Sequence, residues 1–314
     1  MEKNITKKKP SSKKETVLKK VEKKALVVST VINLVMGLAG LIVFFVTDMQ
    51  ALFLDGFFSL IAGLSTILAV IFSKISKKKN SSYPTGMYFL EPFYGVVKSI
   101  LIFILLTVSI VESSISAINY FQHGIGNTIN IPIVLPYTLV MLIMSFGLLI
   151  FNKKQNQKIS NTSTMLTAET KSNFVDSLIS CGICFLIFIL LFVSKSSKLA
   201  FLHYTGDFFI TLLLVAVSIK EPINLLILSI REISGATVKD KEIRKKVRKI
   251  ISKAIKEEDL DNKFEVYKIG MHIRVVILLT EYIDQELLAK LKAESIKEIK
   301  ETFDSATIEF VIRK

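Results

Sequence analysis

Asp55 and Asp176 lie inside hydrophobic stretches long enough to cross a lipid bilayer. An ionised carboxylate at the bilayer centre costs roughly 2.5–3.5 kcal/mol on insertion scales, so neither side chain is expected to face lipid. Each must face protein, water or a cation, and the chemistry such residues support is the passage of ions or protons. The polar residues around them keep helical spacing. Asp55 and Ser59 are one helical turn apart and return to the same face about 6 Å along the axis, with Gly63 continuing the stripe. Glu169, Ser172, Asn173 and Asp176 recur at i, i+3, i+4 and i+7. Oxygen donors so placed on two facing helices can jointly surround a cation. Each also has a plainer reading. Ser59 and Ser172 could serve as small packing residues or bond back to the i−4 carbonyl. Glu169 could be a hydrated helix end, Asn173 a helix–helix hydrogen bond, and either aspartate a structural hydrogen bond. Lys171 would displace a cation if it faced Asp55, and would be harmless at the cytoplasmic rim.

The elements that must position these residues are transmembrane helices. Windows of about 20 apolar residues predict six, at roughly 25–46, 50–73, 92–119, 131–151, 165–193 and 205–228. Leading Met1 is followed by a lysine-rich segment and then a first span too long for a signal-peptide core, so that span is expected to be retained. The chain of 314 residues carries a net charge of +14, and the placement of that charge matters more than its size. Lysines crowd the segment before the first span, recur as Lys74, Lys77, Lys78 and Lys79 after the second, and again as Lys153, Lys154 and Lys158 after the fourth. The loops after the first and third spans have none. Positive charge on alternate loops predicts a cell-membrane protein with both termini in the cytoplasm. Lys195 and Lys198 after the fifth span run against the pattern without overturning it. The same distribution argues for contact with anionic lipid and against nucleic acid. Cys181 and Cys184, the only cysteines, sit inside the fifth span and read as small helix-contact residues.

Composition changes after Ser234-Gly235, and three segments are expected: a basic cytoplasmic tail over 1–24, a six-helix transmembrane domain over 25–233 and a cytoplasmic domain over 238–314. Ile243, Val247, Ile250, Ile251, Ala254 and Ile255 keep helical spacing. Phe264 to Tyr267 and Met271 to Leu279 read as strands separated by Gly270. Asp284 is the expected N-cap of a helix with Leu288, Leu291, Ile296, Ile299 and Phe303 on one face. Thr307 to Ile312 alternates as a last strand. The order αββαβ predicts one sheet with helices on a single face, whose other face meets solvent or a partner.

These features together resemble the cation diffusion facilitators, which have six spans, both ends inside and a ferredoxin-like αββαβ cytoplasmic domain. In that family an acidic-x-x-x-acidic pair on the second helix faces a His/Asp-x-x-x-Asp pair on the fifth, forming a tetrahedral site for a divalent metal. Asp55-x-x-x-Ser59 and Ser172-x-x-x-Asp176 are similar to those pairs, with serine replacing one ligand on each helix. The family's His-Pro/Phe-Gly-His-Gly-Lys-x-Glu stretch is similar to the run from Tyr83 to Glu91. Gly86 and Glu91 keep their spacing, while Tyr83 and Met87 stand at both histidine positions. Glu91 and Lys98 share a face of the third helix and read as an interfacial pair. The resemblance also implies a homodimer, which the one-faced sheet allows. The histidines are His123 and His203 towards the outer side and His272 in a predicted strand, where a packing role is expected.

The expected function is export of a divalent cation by a secondary transporter, through proton antiport. Asp55, Ser59, Ser172, Asn173, Asp176 and Glu169 are the candidate metal ligands, and the cation is cargo, with no cofactor expected. Zinc prefers nitrogen or sulfur, so an all-oxygen set favours harder ions such as manganese or magnesium. Empty carboxylates would take up protons that metal entry expels. The rival reading is a membrane-embedded sensor or regulatory partner that binds metal without moving it. An enzyme is not expected: no H-E-x-x-H, G-x-S-x-G or glycine-lysine nucleotide motif occurs.

Overall fold

The computed structural model describes residues 11–76, 78–84, 86–158, 164–194, 196–256, 262–270, 272–279, 285–302 and 305–312. Among the described residues six apolar helical stretches have the length to cross a bilayer: Lys23–Thr47, Gln50–Phe72, Leu90–His123, Ile131–Lys158, Glu169–Phe192 and Leu202–Ile233. They belong to helices α1 (Ser11–Thr47), α2 (Gln50–Ile75), α3 (Leu90–His123), α4 (Ile131–Lys158), α5 (Thr164–Phe192), α6 (Leu202–Ser218) and α7 (Lys220–Ile233). The last span is interrupted at Ile219, because Pro222 has no amide to offer the carbonyl of Ser218. Residues 1–10 lie outside the described residues. From Ser11 onward the lysine-rich segment is an extension of α1, with no glycine or proline to stop it before Gly37.

The chain divides into two compact units: Met1–Leu68 with Ile102–Lys220, and Ala69–Leu101 with Glu221–Lys314. The core of the first unit is aliphatic. Leu52, Leu54 and Phe58 of α2 meet Ile102 and Leu106 of α3, Ile179, Ile183 and Ile187 of α5, and Ile210 and Leu214 of α6. Glycines bring α1 against α2. A Cβ on Gly40 would lie 2.7 Å from the Gly56 Cα, and one on Gly37 would meet the Leu60 backbone nitrogen at 2.8 Å. The turn between these helices is short, with Asp48 in the left-handed region at φ 56°, a conformation aspartate tolerates better than most residues.

The second unit holds the C-terminal fold, α8 (Lys241–Lys256), β1 (Asn262–Ile269), β2 (His272–Leu279), α9 (Gln285–Thr302) and β3 (Ser305–Ile312). The order is the expected αββαβ. β1 pairs antiparallel with β2 and β2 pairs parallel with β3, so β2 is central and α9 makes the crossover. Val266, Ile273, Val275, Ile277 and Ile308 alternate onto the face covered by Val247 and Ile251 of α8 and Ile299 of α9. The opposite face carries Tyr267, Arg274 and Glu309, with Arg274 and Glu309 joined by a bidentate pair at 3.0 and 2.6 Å. β1 extends beyond Phe264–Tyr267 at both ends, and β3 starts at Ser305, two residues before the alternating run. Its register explains the extension, since Ser305 pairs with His272 and bonds its ring. Met271, Asp284 and Phe303 lie outside the described residues.

Candidate metal centre

Two side-chain bonds fix how α2 and α5 lie together. Ser180 of α5 donates to Asp55 Oδ1 of α2 at 3.2 Å, and Thr66 of α2 donates to Glu169 Oε1 of α5. Eleven residues forward on α2 correspond to eleven residues back on α5, so the helices are antiparallel and in continuous register. That register sets Ser59 level with Asp176, Ala62 level with Asn173, and Asp55 one turn, about 6 Å, beyond Asp176. Glu169, Asn173, Asp176 and Ser180 thus present a polar group to α2 at every turn for three turns.

Each candidate ligand has a definite place on this seam. Asp55 is 3% exposed, Ser59 1%, Asn173 1%, Asp176 3% and Glu169 8%. Ser172 is only partly buried, and Lys171 is exposed. Asp55 Oδ2 accepts a hydrogen bond from Tyr137 of α4 at 2.9 Å. The Asn173 amide, by contrast, has no hydrogen-bond partner at either Oδ1 or Nδ2. The two aspartates therefore sit on successive levels of one seam instead of opposite each other. Among the described residues no group of three or more His, Cys, Asp or Glu side chains is placed to hold a metal. A cation here must be completed by hydroxyl and amide oxygens, which suits a hard ion better than zinc.

Three residues with defined roles escape the sequence pattern. Tyr137 arrives from α4, and its hydroxyl lies where a Cβ on Gly40 would come within 2.8 Å, so glycine at 40 makes room for the phenol. Ser180 is the next turn of the stripe that contains Asp176, and extending that periodicity by four residues finds it. Asp207 on α6 accepts from the backbone amides of Gln50 at 2.7 Å and Ala51 at 2.9 Å, capping the start of α2. Its sequence signal is a third aspartate within an apolar span, with Thr211 one turn on, 3.4 Å from Oδ1.

The histidines have surroundings of their own. His203 Nε2 is 2.8 Å from the Val193 carbonyl, and His123 is exposed at the end of α3. His272 stacks on Tyr88 with centroids 4.9 Å apart and bonds Ser305 and Thr307 at 2.9 and 3.0 Å. Burial, then the positive charges of Arg274 and Lys79, push its pKa below the ordinary 6.5, against a smaller opposing effect of Glu309.

Six apolar helices with carboxylates, amides and hydroxyls buried along one helix seam define a multi-pass membrane protein with a polar interior. Residues 26–234 match the family model described as the cation efflux transmembrane domain, and the chain belongs to the cation diffusion facilitator family. By class it is a transporter of metal cations, and members of the family are transporters, not enzymes. No curated protein matches the chain.

Proposed function

We propose that the protein exports a divalent cation, with Asp55, Ser59, Asn173 and Asp176 as the core of its path and Glu169 and Ser172 at the inner end. The observation that supports this reading is the unbroken polar edge of α5 against α2, buried at every turn from Glu169 to Ser180. In a low-dielectric bundle a carboxylate is kept only where it has a guest or a partner. With one aspartate on each of two levels, an ion can pass between them while keeping one negative charge beside it. Protons are the natural counter-ions, because a carboxylate that loses its metal inside a bundle is relieved by binding a proton. The lysine distribution orients both termini towards the cytoplasm. A homodimer is the proposed assembly, with the open face of the cytoplasmic sheet as a candidate contact.

One observation favours a rival reading. Asp55 already receives hydrogen bonds from Tyr137 and Ser180, and among the described residues no group of three or more His, Cys, Asp or Glu side chains is placed to hold a metal, as a sensor that binds without transport would permit. Purified protein in liposomes, presented with manganese, magnesium, zinc, cobalt and cadmium in turn while lumenal pH is recorded, separates the two. Export predicts flux of at least one ion with opposite proton movement, and Asp176→Ala should reduce that flux by about 100-fold, as loss of roughly 2.7 kcal/mol of ion or transition-state stabilisation would. Wild-type flux in Asp176→Ala removes the site assignment, and binding without flux in the native protein favours the sensor.

A further inference from the structure

Three buried asparagines on three helices of the first unit have polar atoms that nothing satisfies. Asn33 of α1 is fully buried and lacks a partner at both Oδ1 and Nδ2; so does Asn173 of α5. Asn152 of α4, also fully buried, donates Nδ2 to Ser29 Oγ at 2.6 Å but leaves Oδ1 unpaired. An unpaired buried amide group costs about 1–3 kcal/mol, so leaving five such atoms unpaired is a large cost to fold stability. The helix registers gather them. Gly37 meets Leu60 and Gly40 meets Gly56, which makes α1 antiparallel to α2. Carried through the α2–α5 register, this puts Asn33 level with Asn173 to within a turn. Ser29 is one turn inward of Asn33 on the same face, and its bond draws Asn152 to that level. Thr66 and Glu169 close the same tier from α2 and α5.

We infer that Asn33, Asn152 and Asn173 form a second cation site, on the inner side of Asp176, that receives a divalent ion still carrying part of its water shell. Three amide oxygens are hard, neutral donors able to coordinate the ion or accept hydrogen bonds from its waters, and the amide N–H groups can donate to water oxygens. The Glu169 carboxylate supplies the only negative charge among these six side chains. A site built mainly of neutral groups holds a divalent ion weakly, as a transit position requires, and the two aspartates beyond offer stronger sites. The inference rests on the proposed transport reading only for its choice of a divalent ion as guest.

The test is cysteine protection in the full chain, with Cys181→Ser and Cys184→Ser removing the native thiols. Ser29→Cys is a near-isosteric reporter that keeps all three amides, and Ala62→Cys, level with Asn173, is a second reporter should the first fail to fold. A small hydrophilic thiol reagent is expected to label the reporter in liposomes. Mn²⁺ should slow labelling by roughly tenfold when present at ten times its half-protecting concentration, as mass action requires. Adding Asn33→Leu should abolish that protection. Absence of labelling at both reporters, or labelling that Mn²⁺ does not slow, overturns the inference. The outcome is separable from the transport reading: wild-type flux in Asp176→Ala would sink the aspartate site whether or not the reporter is protected.

Discussion

Buried polar side chains are treated in opposite ways in the two regions of this molecule. In the second unit Glu232 and His272 are completed by protein. Glu232, at the end of α7, accepts from Lys268 Nζ at 2.8 Å and from the Gly270 amide at 2.9 Å, and His272 has hydroxyls at both ring nitrogens. In the membrane helices Asn33 and Asn173 have no such partners. Desolvation is at least as severe in lipid, so the difference is not one of tolerance. Saturated polar groups fix a conformation, whereas unsatisfied ones keep capacity for a guest. On the proposed reading the sheet of the second unit is scaffold and the α1–α2–α4–α5 interior is path.

The largest effect that could break this comparison lies in the helix contact framing the path. Gly40→Val would drive a side chain into the Gly56 backbone and the Tyr137 hydroxyl together. Backbone cannot yield as a flexible side chain can, and the expected cost is about 3 kcal/mol or more. Thermal unfolding in detergent should show a marked loss of stability, and an unaltered melting temperature would mean that α1 and α2 are not held this closely. Next comes the scaffold. Glu232→Ala leaves the Gly270 amide and the Lys268 ammonium without their acceptor, at about 2 kcal/mol, and should increase amide exchange around the β1–β2 turn without altering the preference among ions. A change in ion preference instead would mean that the second unit takes part in ion selection.

Asp207→Ala sharpens the contrast inside the membrane itself. This carboxylate resembles Asp55 in the sequence, and both accept two donors, but those of Asp207 are backbone amides at the start of α2 whereas those of Asp55 are the hydroxyls of Tyr137 and Ser180. Removing a helix cap costs about 1–2 kcal/mol, and the loss should appear as fraying of α2 near Gln50. Asp207→Asn, which keeps one acceptor oxygen, should retain most of both stability and flux, whereas Asp55→Asn should lose flux. If both asparagine variants lose flux equally, Asp207 belongs to the path and the distinction between cap and ligand fails.

The fold was legible because its signals are periodic. Apolar runs of bilayer length marked the six spans, and the change from helical to alternating spacing near Phe264 marked the C-terminal sheet. On the seam, Asp55 with Ser59 and Asn173 with Asp176 repeat on one helical face, so their grouping could be read from spacing alone. Tyr137 could not, because one phenol in an apolar span has no periodic partner and its contact with Asp55 depends on glycine at 40. Asp207 was hidden for a related reason: its partners are backbone amides, which every sequence position supplies. The offset between Asp55 and Asp176 is likewise a property of helix register, set by pairs such as Thr66 and Glu169 that lie far apart in the chain.

The smallest expected effect is a pH dependence confined to the scaffold. His272 is 7% exposed, and its depressed pKa means that the folded state favours neutral imidazole, while the unfolded chain takes up a proton near 6.5. The contribution is present in full above pH 6.5 and is lost as pH falls through and below that value, with a slope of at most about 1.4 kcal/mol per pH unit for one proton. The neighbouring hydroxyls of Ser305 and Thr307 can accept from either ring nitrogen, so they do not bar protonation; burial against Tyr88 and the nearby Arg274 and Lys79 charges do. Amide exchange in β2 and β3 should accelerate between pH 7.5 and 5.5 in the native protein and much less in His272→Gln. The amides Asn33, Asn152 and Asn173 bind no proton over that range and contribute nothing to this dependence. Equal acceleration in His272→Gln would mean that the imidazole is protonated in place, and its surroundings would then not be the closed structure that its hydrogen bonds describe.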